Sequence, residues 1–194
     1  LIVNQLTTVS NNQANGTSGS GGGIFSIAGS LTVDNSSLTF NSANRAGGAV
    51  EVLDGTADFL NNTNLINNDV NGLASGTPNP GNGGGLHVTG GSAVISFTGG
   101  TVFGNEAGSE GGGLCNNGGT MNVTGTLIDG NTAFGDAADN GGGGIFNNGG
   151  TLNINATTEI TNNYADGTSG SGGGIFSTDG TVTIDAALIT GNEA

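Results

Sequence analysis

Positive charge is nearly missing from this sequence. Arg45 is the sole Lys or Arg among 194 residues, against 15 Asp and Glu, for a formal net charge of −14. One cation cannot neutralise a row of phosphates, which excludes nucleic acid as a partner, and an anionic membrane surface repels such a chain. Cysteine occurs once, at Cys115, so no internal disulfide can form. The two prolines, Pro78 and Pro80, are too few for a collagen or polyproline rod. No apolar run reaches the roughly 18 residues of a membrane-spanning helix, so no membrane insertion is expected. An initiator Met and a basic, hydrophobic leader are also missing. The chain starts at Leu1 inside a repeat, as a processed product or a fragment would.

What is present is glycine (42 residues), asparagine (28 residues) and an apolar third that recurs in order. That order argues for a packed fold against disorder. Six glycine-led starts are visible: Gly21–Phe25, Gly47–Glu51, Gly83–His87, Gly111–Cys115, Gly142–Phe146 and Gly172–Phe176. Each is followed by an alternating segment: Ser30–Val33, Thr56–Phe59, Ser92–Ile95, Thr120–Val123, Thr151–Ile154 and Thr181–Ile184. Period two means a strand with one buried face. Each repeat closes on an Asn-x-small signature, at Asn12, Asn41, Asn68, Asn105, Asn131, Asn163 and Asn192.

Nothing in the repeat has a helical period. Short strands that cannot bury a face alone must stack on their copies. The expected fold is all-β: a right-handed parallel β-helix of six to seven coils, each of three short strands, forming a single solenoid over residues 1–194. The glycine runs supply tight corners, and the signature asparagines form a ladder from coil to coil. The longest connection is Asp69–Asn82. A larger period lies above the coil: residues 1–34 match residues 152–185 at 20 of 34 positions, and Asn11–Ser26 matches Asn162–Ser177 at 14 of 16. Five coils thus form a cassette that begins again at offset 151.

The Gly-Gly-Gly-aliphatic start followed by Asn-x-Ala, with Phe103-Gly-Asn105 near a second short pattern, resembles the repeats of polymorphic outer-membrane proteins and bacterial surface adhesins. The resemblance covers nearly the whole chain. It implies a right-handed β-helix passenger on an exported, surface-displayed protein, and it carries over no catalytic residue.

Candidate chemistry is sparse. Polysaccharide-cleaving enzymes share this fold and need clustered carboxylates, at least two about 5–9 Å apart. No adjacent acid pair is read here: Asp58, outward on a middle strand, faces Val94 one coil on. His87 and Cys115 share a column and could form a nucleophilic pair. That column also holds Phe25, Glu51, Phe146 and Phe176, which reads as a variable, semi-exposed stack. Phe25, Phe146 and Phe176 are either a hydrophobic contact stripe or side chains lying under a loop. Calcium-binding repeats are missing, and Asp136, Asp139 and Asn140 match a loop site by residue type alone. The pairs Asn116-Asn117 and Asn147-Asn148 read as turns. Glycosylation triplets at Asn15, Asn35, Asn61, Asn122 and Asn155 are no more than an Asn- and Thr-rich chain produces.

No enzyme activity, metal or cofactor is expected. The expected role is a structural extracellular solenoid forming a cell-surface filament or stalk, with the chain itself as partner, head to tail, or further copies of the repeat. One alternative is an adhesin passenger binding a surface glycan or protein. The other is ice binding, although the outward column Thr32, Asp58, Val94, Asn122, Asn153, Thr183 is not a regular Thr array.

Overall fold

The computed structural model describes residues 1–72 and 80–194. The centre of the long Asp69–Asn82 connection, residues 73–79 with Pro78, lies outside the described residues. Among the described residues the chain is an all-β parallel solenoid with three sheets of 11, 7 and 6 strands. Coil 1 contributes Ile2–Val3, Thr8–Ser10 and Gln13–Ala14. Coils 2 and 3 open with the 11-residue strands Ile24–Asp34 and Val50–Leu60. Later coils split this strand in two, as in Leu86–Thr89 and Val94–Thr98 of coil 4. Coils 5, 6 and 7 open at Leu114, Ile145 and Ile175.

The third segment of each repeat is two strands, one on each side of the signature asparagine. In coil 4 these are Thr101–Phe103 in the second sheet and Glu106–Ala107 in the third, with Asn105 at the bend between them. The bend requires a left-handed residue just before the asparagine. Gly104, Gly130 and Gly191 fill that position in three coils, and Asn11, Asn67 and Asn162 in three others. These are the residue types that tolerate positive φ. Coil 2 departs from the rule with Phe40 at φ 55°.

One register differs from the alternation read in the sequence. Ile95 pairs with Ala57 and Met121, and Phe97 with Phe59 and Val123. The inward pair of coil 4 is therefore Ile95/Phe97, not Ala93/Ile95. The cause is an insertion: nine residues separate Leu86 from Ile95, where seven separate Val50 from Ala57. The two extra residues turn out at Gly90, whose φ is 110°. In the corrected register Phe59 and Phe97 stack with ring centroids 4.9 Å apart, 10° from parallel.

The core is a set of apolar columns running the length of the coil stack. Leu65, Val102, Ile128 and Ile160 are fully buried in one of them. Each such side chain contributes roughly 1.5–3 kcal/mol by burial.

Candidate functional sites

The signature asparagines form a continuous hydrogen-bonded ladder. Each side-chain amide, from Asn12 through Asn41, Asn68, Asn105, Asn131 and Asn163, donates to Oδ1 of the next at 2.9–3.0 Å, ending at Asn192. The same Oδ1 also accepts the preceding rung's backbone N–H. The second amide proton goes back to a carbonyl of the coil before, as from Asn105 to Leu65 O at 2.9 Å and from Asn131 to Val102 O at 3.0 Å. Asn68, Asn105, Asn131 and Asn163 are fully buried, and every donor and acceptor of these side chains is used. Burying an amide costs free energy unless it is hydrogen-bonded throughout, and stacking identical coils is what supplies the partners.

A second amide column escaped the sequence reading. Asn116 and Asn147 are not turn residues. They point into the core at the level where coils 3 and 4 carry Val52 and Val88. Asn116 Nδ2 donates to Asn147 Oδ1 at 2.8 Å, and Asn147 Nδ2 to Ser177 Oγ at 3.2 Å. Asn116 Oδ1 is buried without a partner, because the rung before it is Val88, which has nothing to donate. The signal lay in the alignment of Leu86-His-Val88 with Leu114-Cys-Asn116.

The column of Phe25, Glu51, His87, Cys115, Phe146 and Phe176 is in register as expected, but it is not semi-exposed. Glu51, His87, Cys115 and Phe146 are all 2% exposed or less. The glycine run before each strand folds back over the column. A Cβ on Gly83 would come within 2.8 Å of His87 Cβ, and one on Gly111 within 2.9 Å of Cys115 Cβ. The phenylalanines consequently do not make one contact stripe. Phe25 is 48% exposed, Phe146 is covered, and Phe146 packs on Phe176 at 5.7 Å.

This covered column holds a charge cluster. Arg45 Nη2 meets Glu51 Oε1 at 2.7 Å, and His87 Nδ1 meets Glu51 Oε2 at 2.9 Å. Thr89 Oγ1 donates to Glu51 Oε1 at 3.2 Å. Burial pushes the Glu51 carboxyl up, but His87 and Arg45 together outweigh it and hold the group below its ordinary range. His87 Nε2 is buried without a partner. Next to it, burial and then the Glu110 and Glu51 carboxylates push the Cys115 thiol well above its usual value. A thiol so held is not a ready nucleophile. Beside the column, a polar recess of about 230 Å³ is lined by Pro80, Asn82, Ser109, Glu110 and Asn140. Asn82 and Asn140 donate to the Glu110 carboxylate there at 2.6 and 3.1 Å.

The sequence reading found no adjacent acids, but Asp69 and Glu106 pair directly across neighbouring coils. Burial and the Glu106 charge raise the Asp69 carboxyl above its usual range. Both occupy the middle position of the Asn-x-small signature, so the pair was legible there. Asp136 is engaged by the next coil, accepting from Thr168 N and Oγ1 at 2.9 Å each, and Asn140 Oδ1 accepts from Ala137 N at 3.0 Å. Among the described residues no three His, Cys, Asp or Glu side chains converge as metal ligands would.

The outward column of the first sheet reads Thr32, Asp58, Ser96, Asn122, Asn153 and Thr183, with Ser96 where Val94 was expected. Beside it run Ser30, Thr56, Val94, Thr120, Thr151 and Thr181. No family model matches this chain, and neither does any curated protein or solved structure.

Proposed function

We propose that the chain is a structural extracellular solenoid that forms a cell-surface filament or stalk, lengthened by end-to-end stacking of coils of its own kind. The observation that carries this reading is the register of the cassette. Ile2 pairs with Thr32 of the next coil, and the same column continues through Asp58, Ser96 and Asn122 to Asn153, 151 residues and five coils later. A sequence that returns in the same columns after five coils can be continued without any new kind of interface. A coil that follows, in this chain or in another copy, would stack on Ile184 and Ile189 in the columns they already share with Ile154 and Ile160. Its signature asparagine would add the next rung of the ladder. The repeat's likeness to polymorphic outer-membrane proteins and surface adhesins supports display outside the cell.

Negative-stain electron microscopy across a concentration series tests the reading. Long, uniform filaments one solenoid wide are expected. Dispersed stubs at every concentration overturn end-to-end stacking.

A second reading, ice binding, gains from the corrected register. With Ser96 in the outward column, small hydroxyl and amide side chains dominate two parallel columns of one sheet face. Retarded ice recrystallisation by the chain, lost on Thr120→Lys, would favour it over the filament.

A further inference from the structure

His87 and Cys115 pair in register across coils 4 and 5. In a semi-exposed, variable stack the two would have no business with one another, but both are fully buried under the glycine runs. His87 is fixed from one side. Its Nδ1 meets Glu51 Oε2 at 2.9 Å, and Glu51 stands at the same column position in the coil before. Thr89 Oγ1, 3.1 Å from Nδ1, donates its proton to Glu51 Oε1. A carboxylate on Nδ1 places the proton of the neutral ring there and leaves Nε2 with a free lone pair. The two ring nitrogens face nearly opposite sides of the imidazole. With Nδ1 turned to coil 3, the Nε2 lone pair is turned toward coil 5, where the residue in register is Cys115. Nε2 is buried and makes no hydrogen bond, to the thiol or to any other group. A buried polar atom so held costs about 1–3 kcal/mol. The coil stack does not demand it, since Phe fills the same column position in coils 2, 6 and 7.

The rest of the cluster decides what the pair can hold. Imidazole nitrogen and thiolate sulfur are donors that suit Cu(I) and Zn(II). Zinc takes four ligands in a structural site, and among the described residues no third His, Cys, Asp or Glu converges on this pair. Cu(I) is stable with two ligands in a line, the arrangement that consecutive coils offer. Charge points the same way. Arg45 already balances Glu51 across 2.7 Å. A monovalent cation on a Cys115 thiolate adds no net charge to the interior, whereas a divalent one adds a unit that burial penalises. The thiol keeps its proton because burial and the Glu110 and Glu51 carboxylates oppose a bare thiolate, and a bound cation cancels both effects. Glu51 on the far nitrogen is the carboxylate–histidine arrangement that orients a metal-bound imidazole and makes it a stronger donor. A way in lies beside the column. Asn82 and Glu110, whose amide and charge act on the Cys115 thiol, line the polar recess of about 230 Å³.

We propose that His87 Nε2 and Cys115 Sγ hold one Cu(I) ion in linear coordination between coils 4 and 5, with Glu51 positioning the imidazole. Binding is an exchange. The Cys115 S–H bond breaks, an S–Cu bond forms, Nε2 gives its lone pair to the metal, and the thiol proton leaves to solvent. Copper enters and remains as Cu(I), so no electron is transferred. The ion ties two coils of one chain together, and the site does not depend on end-to-end stacking.

Anaerobic titration with Cu(I) against the chelator bicinchoninate tests it. The metal is added to the folded chain and, in parallel, during refolding from urea, so that the glycine cover cannot bar entry. One ion per chain is expected, with X-ray absorption of the wild-type protein showing one sulfur and one nitrogen neighbour. Loss of an outer partner costs a metal site roughly 10–100-fold, so removing a ligand itself, by Cys115→Ala or His87→Phe, is expected to raise the Cu(I) Kd more than about 100-fold. His87→Phe installs the residue that the column carries elsewhere, and circular dichroism checks the fold of both variants. No uptake by either route overturns the proposal. So does copper with no sulfur neighbour, Cu(I) uptake unchanged in folded Cys115→Ala, or Zn(II) displacing Cu(I) from the wild-type chain at equal concentration.

Discussion

Replacing one central rung of the ladder tests whether the asparagines hold the coils together. Asn105→Ala removes a fully buried amide from coil 4. Two groups lose their partner, the Asn68 backbone N–H and one Asn68 side-chain N–H, and the Leu65 carbonyl and Asn131 Oδ1 each lose one of two donors. Each buried orphan costs about 1–3 kcal/mol, so a loss of about 2–6 kcal/mol is expected, reaching the far end of what single substitutions do. Asn12→Ala, on an exposed rung, should cost less than about 1 kcal/mol. Asn105→Asp keeps the shape but cannot donate to Leu65 O or Asn131 Oδ1 while ionised. Its folded-state pKa is therefore raised, and the sign follows: the variant is most stable at low pH and loses stability as pH rises past the unfolded carboxyl value of about 3.9. Urea unfolding, followed by circular dichroism and by amide exchange of coils 3–5, reads all three. If Asn105→Ala falls within 1 kcal/mol of Asn12→Ala, the ladder accompanies the fold and does not stabilise it.

Phe40 occupies a left-handed position while 58% exposed, so Phe40→Asn is expected to gain about 1 kcal/mol in urea unfolding by relieving backbone strain. Val88→Thr would give the orphaned Asn116 Oδ1 a donor and should be neutral or stabilising. Val52→Thr, whose neighbour is Val88, should cost about 1–3 kcal/mol in the same assay. Glu51 has a lowered pKa, so its contribution is present above the unfolded carboxyl value and lost as pH falls through the folded one. Glu51→Gln should flatten that acid limb and, by removing the carboxylate that His87 and Arg45 meet, cost on the order of 3 kcal/mol at neutral pH, read by thermal melts at stepped pH.

The fold was legible because each coil repeats its own grammar. Alternating Leu31/Val33 and Leu152/Ile154 announce strands, and the signature at Asn12, Asn41 and their successors marks where each coil bends. The errors have local causes. A two-residue insertion near Gly90 shifted one strand, since alternation fixes which face is buried but not which pair along that face. Asn116 and Asn147 read as turns in sequence because amides belong in turns unless a stack of identical residues satisfies them. Their neighbours Val52 and Val88 were the available contradiction. Burial of Glu51, His87 and Cys115 was hidden because no pattern says that a glycine run lies flat on the strand following it. The unequal drift between residues 11–26 and their surroundings, by contrast, needed no coordinates.

The division of labour among the columns constrains where function can reside. The ladder and the covering glycines demand nearly the same residue in every coil, since a change in one rung leaves groups in its neighbours unbonded, whereas the core columns accept changes such as Ala57 through Ile95 to Met121 or Val88 to Asn116. Outward positions are coupled more weakly, as between Asp69 and Glu106, and there the residues vary: Ser42, Asp69, Glu106, Thr132 and Tyr164 follow one another in a single column. A solenoid of this kind can change its surface coil by coil without altering its stability appreciably. Where an outward segment nevertheless fails to vary, as in the two Gly-Thr-Ser-Gly-Ser turns, contacts between coils account for part of it: Thr168 is bonded to Asp136 and Ser20 to Arg45 of neighbouring coils.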